Sequence, residues 1–284
     1  MNSWWLIASG CLAVISLIVV KFGHVRERAK TDAMQKKLTG NAPQWVDARV
    51  DFASFSDLPA PVARYFRHVL TDGQQLIGTA SINQSGKLRA STTAKSWSQF
   101  TAQQLVVPPA VGFIWNARVA MPLATHVRVI DSYVAGLGGG RVSVLSAIPV
   151  ACAAAVPELN SGALHRYLAE APWFPTALLP QSGVLWTPID DCAALATLSH
   201  QSTTVSLEFR FNDSGEVTGI YSPGRFGAFD GGYRQVPWEG HFSNYQIRAG
   251  MRIPLRGEVG WYIDGVLQIV WRGDLLDVHY APPG

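Results

Sequence analysis

Residues 241–280 read HFSNYQIR, AG, MRIPLRGEVGWYI, DG, VLQIVWRGDLLDVHY: three alternating apolar runs joined by Ala249-Gly250 and Asp264-Gly265. Asp-Gly between apolar runs is a strong local hairpin signal, because a two-residue type I′ turn needs positive φ at both central positions. The same grammar extends backwards. TTVSLEFRF (203–211) turns at Asn212-Asp213-Ser214-Gly215 into EVTGIYS (216–222). INQSGKLRAS (82–91), WSQFTAQQLVV (97–107), GFIWNARVAM (112–121) and HVRVIDSYVAG (126–136) are short, β-branched or aromatic runs separated by Gly, Pro or Ser. A spacing of roughly ten to fifteen residues per strand favours one antiparallel sheet over βαβ units.

Only two or three helical pieces interrupt this pattern. LPAPVARYFRHVL (58–70) is amphipathic, with Asp57 as a cap and Val62, Phe66, Val69 and Leu70 at helical spacing. A second piece starts at Ser161, a plausible N-cap, runs through Leu164, Tyr167 and Leu168 and stops at Pro172. TALLP (176–180) adds one more turn. A sheet of ten or so strands with so few helices must curl or wrap them. The expected fold is therefore mainly β (α+β): a large curved antiparallel sheet or half-open β-barrel, with segment 161–180 inside its concave side.

The N-terminus is a separate problem. Met1–Val20 has no charged residue, and about 20 helical residues span the ~30 Å hydrocarbon layer of a bilayer. Trp4 and Trp5 fall where an interfacial anchor would sit. No basic residue precedes the apolar run, which argues against a cleaved signal. The faint lipoprotein-like box Ala8-Ser9-Gly10-Cys11 lies too near the start. The reading is a single transmembrane helix over 1–21, a basic juxtamembrane segment and linker over 22–56, and one β-rich globular domain over 57–284. Residues 21–40 carry six basic and two acidic side chains, so the positive-inside rule places the domain on the cytoplasmic side of a prokaryotic inner membrane. The envelope side is the alternative.

Charge then excludes some partners. Residues 41–284 hold 17 basic and 18 acidic side chains, so no basic face speaks for nucleic acid, whereas the flank suits anionic membrane lipids. Cys152 and Cys192 have no metal-type spacing and read as buried thiols that pair only in an oxidising compartment. His165, His200, His241 and His279 read as isolated, and no G-x-S-x-G elbow is present. Gly136-Leu137-Gly138-Gly139-Gly140 lacks the Lys-Ser/Thr of a P-loop and reads as a flexible hairpin turn. No cofactor or metal is implied.

RYFRHVL (64–70), FTAQQ (100–104), GFIWNARV (112–119), RYLAEAPWFPTALLP (166–180), VSLEFRFNDSGEV (205–217), PWEGHFSNY (237–245) and RIPLRGEVGW (252–261) resemble a family of uncharacterised prokaryotic proteins, a domain of unknown function. The resemblance spans about residues 57–281. More loosely, that family is similar to the half-open β-barrel of the lipoprotein-localisation factors, which implies a concave face able to shelter lipid chains.

One aromatic and polar set remains as a candidate site. Strand alternation puts Trp115 and Ala117 on one face and Asn116 and Arg118 on the other. Glu170 ends a helix, where the dipole disfavours a carboxylate, so it needs a cation from Arg118, Arg225 or Arg256. It is followed by Trp173 and Phe174, and Trp238-Glu239 is a second aromatic and acidic pair at a strand start. On one reading these tryptophans are core and the acids make sheet-edge ion pairs. On another, Trp115, Arg118, Glu170, Trp173, Phe174, Arg225, Trp238 and Glu239 line a cavity in which a buried Arg–Glu pair orients a head group. On a third, Glu170 or Glu239 is a general base with a raised pKa. The expected function is a membrane-anchored, non-enzymatic domain binding an apolar or lipid-like ligand. Its rivals are a hydrolase or isomerase using a buried Glu in the same cavity, and a scaffold that recruits a partner by its sheet edge.

Overall fold

Positive φ at Ala249 and Gly250, and at Asp264 and Gly265, makes both predicted two-residue turns. They link strands β11 (Gly232–Arg248), β12 (Met251–Ile263) and β13 (Val266–Ala281). The computed structural model describes residues 3–40, 42–43, 45, 47–122, 125–153 and 156–283, with side chains from residue 20 onward. One meander, β1 (Thr79–Leu88), β2 (Ser98–Val107), β3 (Gly112–Met121), β4 (Thr125–Val134), β5 (Leu137–Val144) and β6 (Ile148–Ala153), runs to one edge of the sheet. A second, β7 (Val184–Asp190), β8 (Ala193–His200), β9 (Thr203–Phe211), β10 (Val217–Phe229) and then β11 to β13, returns from the other edge. β13 pairs with β1, giving one thirteen-stranded antiparallel sheet in the order β6-β5-β4-β3-β2-β1-β13-β12-β11-β10-β9-β8-β7. Its edge strands β6 and β7 do not pair with each other among the described residues, so it is a half-barrel.

Helix α3 (Pro157–Glu170) carries the chain from β6 towards β7. It touches β4 and β5 on one side and β9 and β10 on the other, so the sheet wraps it as expected. The helix starts at Pro157, where the missing N–H costs nothing, and not at Ser161, which lies inside it. After Glu170 the chain continues as 3-10 turns over Ala171–Trp173, Pro175–Leu178 and Pro180–Ser182. Leu164, Leu168, Phe174 and Leu178 are fully buried there with Val62, Tyr65 and Phe66 of α2 (Ala60–Val69). Pro59, not Asp57, stands at the α2 N-cap, and no side chain caps it. These helices fill one end of the half-barrel.

Other expectations change for local reasons. The turn near Gly136 is made by Ala135 and Gly136, both at positive φ. Gly138, Gly139 and Gly140 are in β5, where a Cβ on Gly138 would strike the Leu159 carbonyl, and the Gly138 N–H donates to Asn160 Oδ1 at 2.7 Å. Gly138 thus lets α3 approach the sheet. Cys152 and Cys192 are exposed and unpaired, since one lies on the short edge strand β6 and the other in the β7–β8 turn.

Helix α1 (Ser3–Gly40) is continuous, and the stretch expected as a juxtamembrane segment packs on the outer face of the sheet. Leu38 is sealed against Val107, Ile114 and Ile130. Glu27 is 1 % exposed and bridges Lys30 at 3.0 Å and Arg141 at 3.3 Å. Among the described residues no helix is long and apolar enough to cross a membrane. The side chains of residues 1–19, on which the expected anchor rests, lie outside the described residues.

One sheet feature shapes the interior. Gly86, Gly273 and Gly257 are register neighbours on β1, β13 and β12, flanked by Phe100 and Phe242. A Cβ on Gly273 would overlap the Trp271 indole, and one on Gly257 would press on Trp173 at 3.3 Å. The glycine row is what lets these indoles lie close to the sheet. Gly273→Ala should therefore destabilise the fold by about 1–3 kcal/mol in chemical denaturation, as overpacking does. Gly219→Ala, whose added methyl meets nothing nearer than 3.7 Å, should be close to neutral.

Candidate functional site

Beyond the helical plug, the interior holds a cavity of about 530 Å³. Five tryptophans line it: Trp115 from β3, Trp173 after α3, Trp238 from β11, Trp261 from β12 and Trp271 from β13. Val119, Val127, Ile220 and Val259 complete an apolar wall. Each of these strand residues occupies an inward position of its strand. Its mouth is edged by Leu88, Arg89, Ala90, Ser98 and Met121, all near the same ends of β1, β2 and β3.

The floor is polar and ordered. Arg166 donates from Nε to Glu170 Oε1 at 2.8 Å and from Nη1 to Asp131 Oδ2 at 2.8 Å. Its guanidinium lies over the Trp115 ring, 4.8 Å from the centroid. Burial alone would make Arg166 easier to deprotonate, but Glu170 and Asp131 outweigh it and hold its pKa above the ordinary value. A side-chain relay fixes the other Glu170 oxygen. Trp115 Nε1 donates to Gln84 Oε1 at 2.8 Å, Gln84 Nε2 to Gln104 Oε1 at 3.3 Å, and Gln104 Nε2 to Glu170 Oε2 at 2.6 Å. Both glutamines are 2 % exposed.

Arg225 stands apart from that network. A register shift in β10 between Ser222 and Arg225 brings it to the inner face, where Nη2 donates to the Gly162 carbonyl at 2.9 Å. Its guanidinium lies 4.7 Å from the Trp238 ring centre and 5.1 Å from that of Trp261. Burial first, and then the Arg166 charge, draws it down to about 10.

The structure thus brings Trp115, Glu170, Trp173, Arg225 and Trp238 together and leaves three expected residues out. Phe174 is fully buried in the plug, its ring 5.6 Å from that of Tyr167. Arg118 lines a groove on the outer face, because it alternates with the inward Trp115 and Ala117. Glu239, next to the inward Trp238 and in mid-strand, also faces outward. It accepts from Tyr262 Oη at 2.9 Å and meets His241 Nε2 at 2.8 Å, so His241 is not isolated. Burial would raise the Glu239 carboxyl, but His241, Tyr262 and Arg210 outweigh it and hold it below the usual range, the opposite of a general base. Nor does Arg118, Arg225 or Arg256 serve Glu170: Arg166, one turn earlier on the same helix, does, and Arg256 bridges Asp274 outside.

Sequence reasoning missed Arg166, Asp131, Gln84, Gln104, Trp261 and Trp271. Arg166 and Glu170 at i and i+4 were a readable signal, as was Glu-x-His at 239–241. Isolated glycines within the strand patterns RGEVGW and WRGD marked close approach. Among the described residues, no group of three or more His, Cys, Asp or Glu side chains is placed to hold a metal ion.

Residues 48–273 match the model of a family of unknown function, DUF6544. The chain belongs to that family. It is the kind of family that RYLAEAPWFPTALLP and PWEGHFSNY pointed to. No curated protein matches the chain. Among solved structures, it is similar to a LolA superfamily protein, NE2245 from Nitrosomonas europaea, at 11% identity and TM-score 0.41, covering 83% of this chain and 96% of that one. It is also similar to a β-barrel-like protein of the domain of unknown function DUF1849 from Brucella abortus, at 12% identity and TM-score 0.22, covering 73% and 99%.

Two outcomes follow from the floor and the helix above it. Arg166→Met removes the ion-pair partner of Glu170, whose side chain is 14 % exposed, and should cost about 3 kcal/mol of stability in urea denaturation, while Asp131, 44 % exposed, keeps its solvent and adds little. His165 is 7 % exposed beside the Ser161 carbonyl, and burial lowers it from 6.5 to about 4. The unfolded imidazole takes up its proton as pH falls below 6.5, the folded one only near 4, so stability is present above that window and lost within it. His165→Gln should lose up to roughly 3 kcal/mol less than the wild type on acidification from pH ~7 to pH ~4.

Proposed function

We propose that this protein is a membrane-tethered, non-enzymatic domain that holds an apolar or lipid-like ligand in the tryptophan-lined cavity. The cavity carries the reading: its volume falls within the roughly 300–1,000 Å³ of small-molecule sites, and its walls are apolar above a few fixed polar groups. Both Glu170 oxygens are committed to Arg166 and Gln104, which suits a positioning role better than proton transfer.

The course of α1 supports the tether and suggests how a ligand arrives. Leu38 lies against Gly112, at the plugged end of β3. Gly23 lies against Ala147, in the turn after β5, near the end where Met121 edges the mouth. The helix therefore climbs the outer face for roughly 22 Å towards the mouth. Its continuation into the uncharged residues 3–20 leaves from that end. Phe22 and Ile148, 70 % and 46 % exposed, add apolar surface beside it. With Met1–Val20 in a prokaryotic inner membrane, lipid chains reach the mouth across little water. The basic flank puts the domain on the cytoplasmic side.

The full chain, extracted from membranes and examined by native mass spectrometry, should carry about one equivalent of an apolar molecule. Trp261→Ala should weaken its retention at least about tenfold, the equivalent of ~1.4 kcal/mol. A chain that fractionates as soluble sinks the tether. One that purifies empty and takes up no long-chain probe sinks the ligand.

A further inference from the structure

We propose that the cavity selects a single-chain amphiphile with an anionic oxygen head group, seated on Arg225 with its chain along the tryptophan wall; this rests on the cavity being a ligand site. Arg225 has no carboxylate within ion-pair distance among the described residues, and Asp131 and Glu170 are both engaged by Arg166. The Gly162 carbonyl takes one of its donors, and the Trp238 and Trp261 rings lie against the guanidinium. That leaves the edge of the fork to form hydrogen bonds, and Nε there is buried without a partner among the described residues. A planar fork with free N–H groups in an apolar setting pairs best with a carboxylate or phosphate.

Two more lining residues point the same way. Trp173 Nε1, and Arg89 Nε at the mouth, are also buried without partners among the described residues. Indole and guanidinium nitrogens only donate, so the partner these three groups lack is an acceptor. A metal ion or an ammonium head group cannot accept from these donors. The floor without a guest balances two guanidinium groups against two carboxylates, but both carboxylates bond to Arg166. A head group on Arg225 supplies the contact that Arg166 already has. The cavity volume, in the lower half of the usual range, suits one alkyl chain better than the two of a bilayer phospholipid.

The test titrates the full chain in phosphatidylcholine nanodiscs with palmitate, hexadecyl phosphate and hexadecanol, following tryptophan emission and subtracting partition into empty nanodiscs. The expected result is that at least one of the two anions binds about tenfold or more tightly than hexadecanol, as charge-assisted bonding requires. The tighter anion names the head group: palmitate a free acid, hexadecyl phosphate a phosphomonoester. Arg225→Gln should erase the preference, so that neither anion binds more tightly than hexadecanol. Arg225→Lys, which keeps the charge without the fork, should retain part of it. Equal binding of all three by the wild type, or an unchanged preference in a folded Arg225→Gln variant, overturns the head-group assignment and leaves the cavity standing. Failure of every probe, hexadecanol included, overturns the ligand site itself. If Arg225→Gln does not fold, the wild-type ranking alone decides.

Discussion

Helix α3 lies inside the curl of the sheet and joins β6 to β7, the two ends of one thirteen-strand array. A chain that leaves one edge and must start the other can cross over the top or through the middle. Here it crosses through the middle, and the residues that do so are apolar enough to draw β4, β5, β9 and β10 around them. Leu164, Leu168 and the 3-10 turns that follow then fill one end, and among the described residues no helix fills the rest of the bowl. The cavity is the consequence of a crossover shorter than the sheet it spans.

The last turn of that helix determines the character of the cavity. Glu170 is unfavourable at a helix C-terminus, yet it stays there because Arg166 and Gln104 surround it. Buried ion pairs of this type add little to stability beyond what apolar packing would give, so their use is in geometry. The Trp115–Gln84–Gln104–Glu170 relay ties a wall indole to the floor, and Arg166 ties the floor to β4 through Asp131. The result is a rigid polar base under an aromatic wall, with Arg225 outside the network. Glycines 257 and 273 complete the arrangement by letting the indoles of Trp173 and Trp271 sit close to the sheet.

The strands were legible because their signals are local. Asp264-Gly265 makes its turn whatever surrounds it, and the inward alternation of Trp115 and Ala117 follows from the pleat alone. The same pleat rule placed Arg118 and Glu239 on the far face from Trp115 and Trp238, and applying it to each pair would have removed both from the site. Phe174 was misplaced because an aromatic residue after a helix reads alike in a plug and in a wall. The extension of β10 past Pro223, which delivers Arg225, was not readable because it depends on a bulge paired to β11.

By itself, then, the sequence determined an antiparallel, hairpin-built sheet, its helical insert, an uncharged N-terminal stretch and the family. Turn geometry, side-chain period and charge distribution all act within a few residues. Only the tertiary structure decided which tryptophans face one another, that Arg166 and not a distant arginine serves Glu170, and that the bowl is hollow beyond its plug. Those outcomes depend on register between strands far apart in the chain and on how much of the interior one helix can fill, and no local pattern carries either quantity.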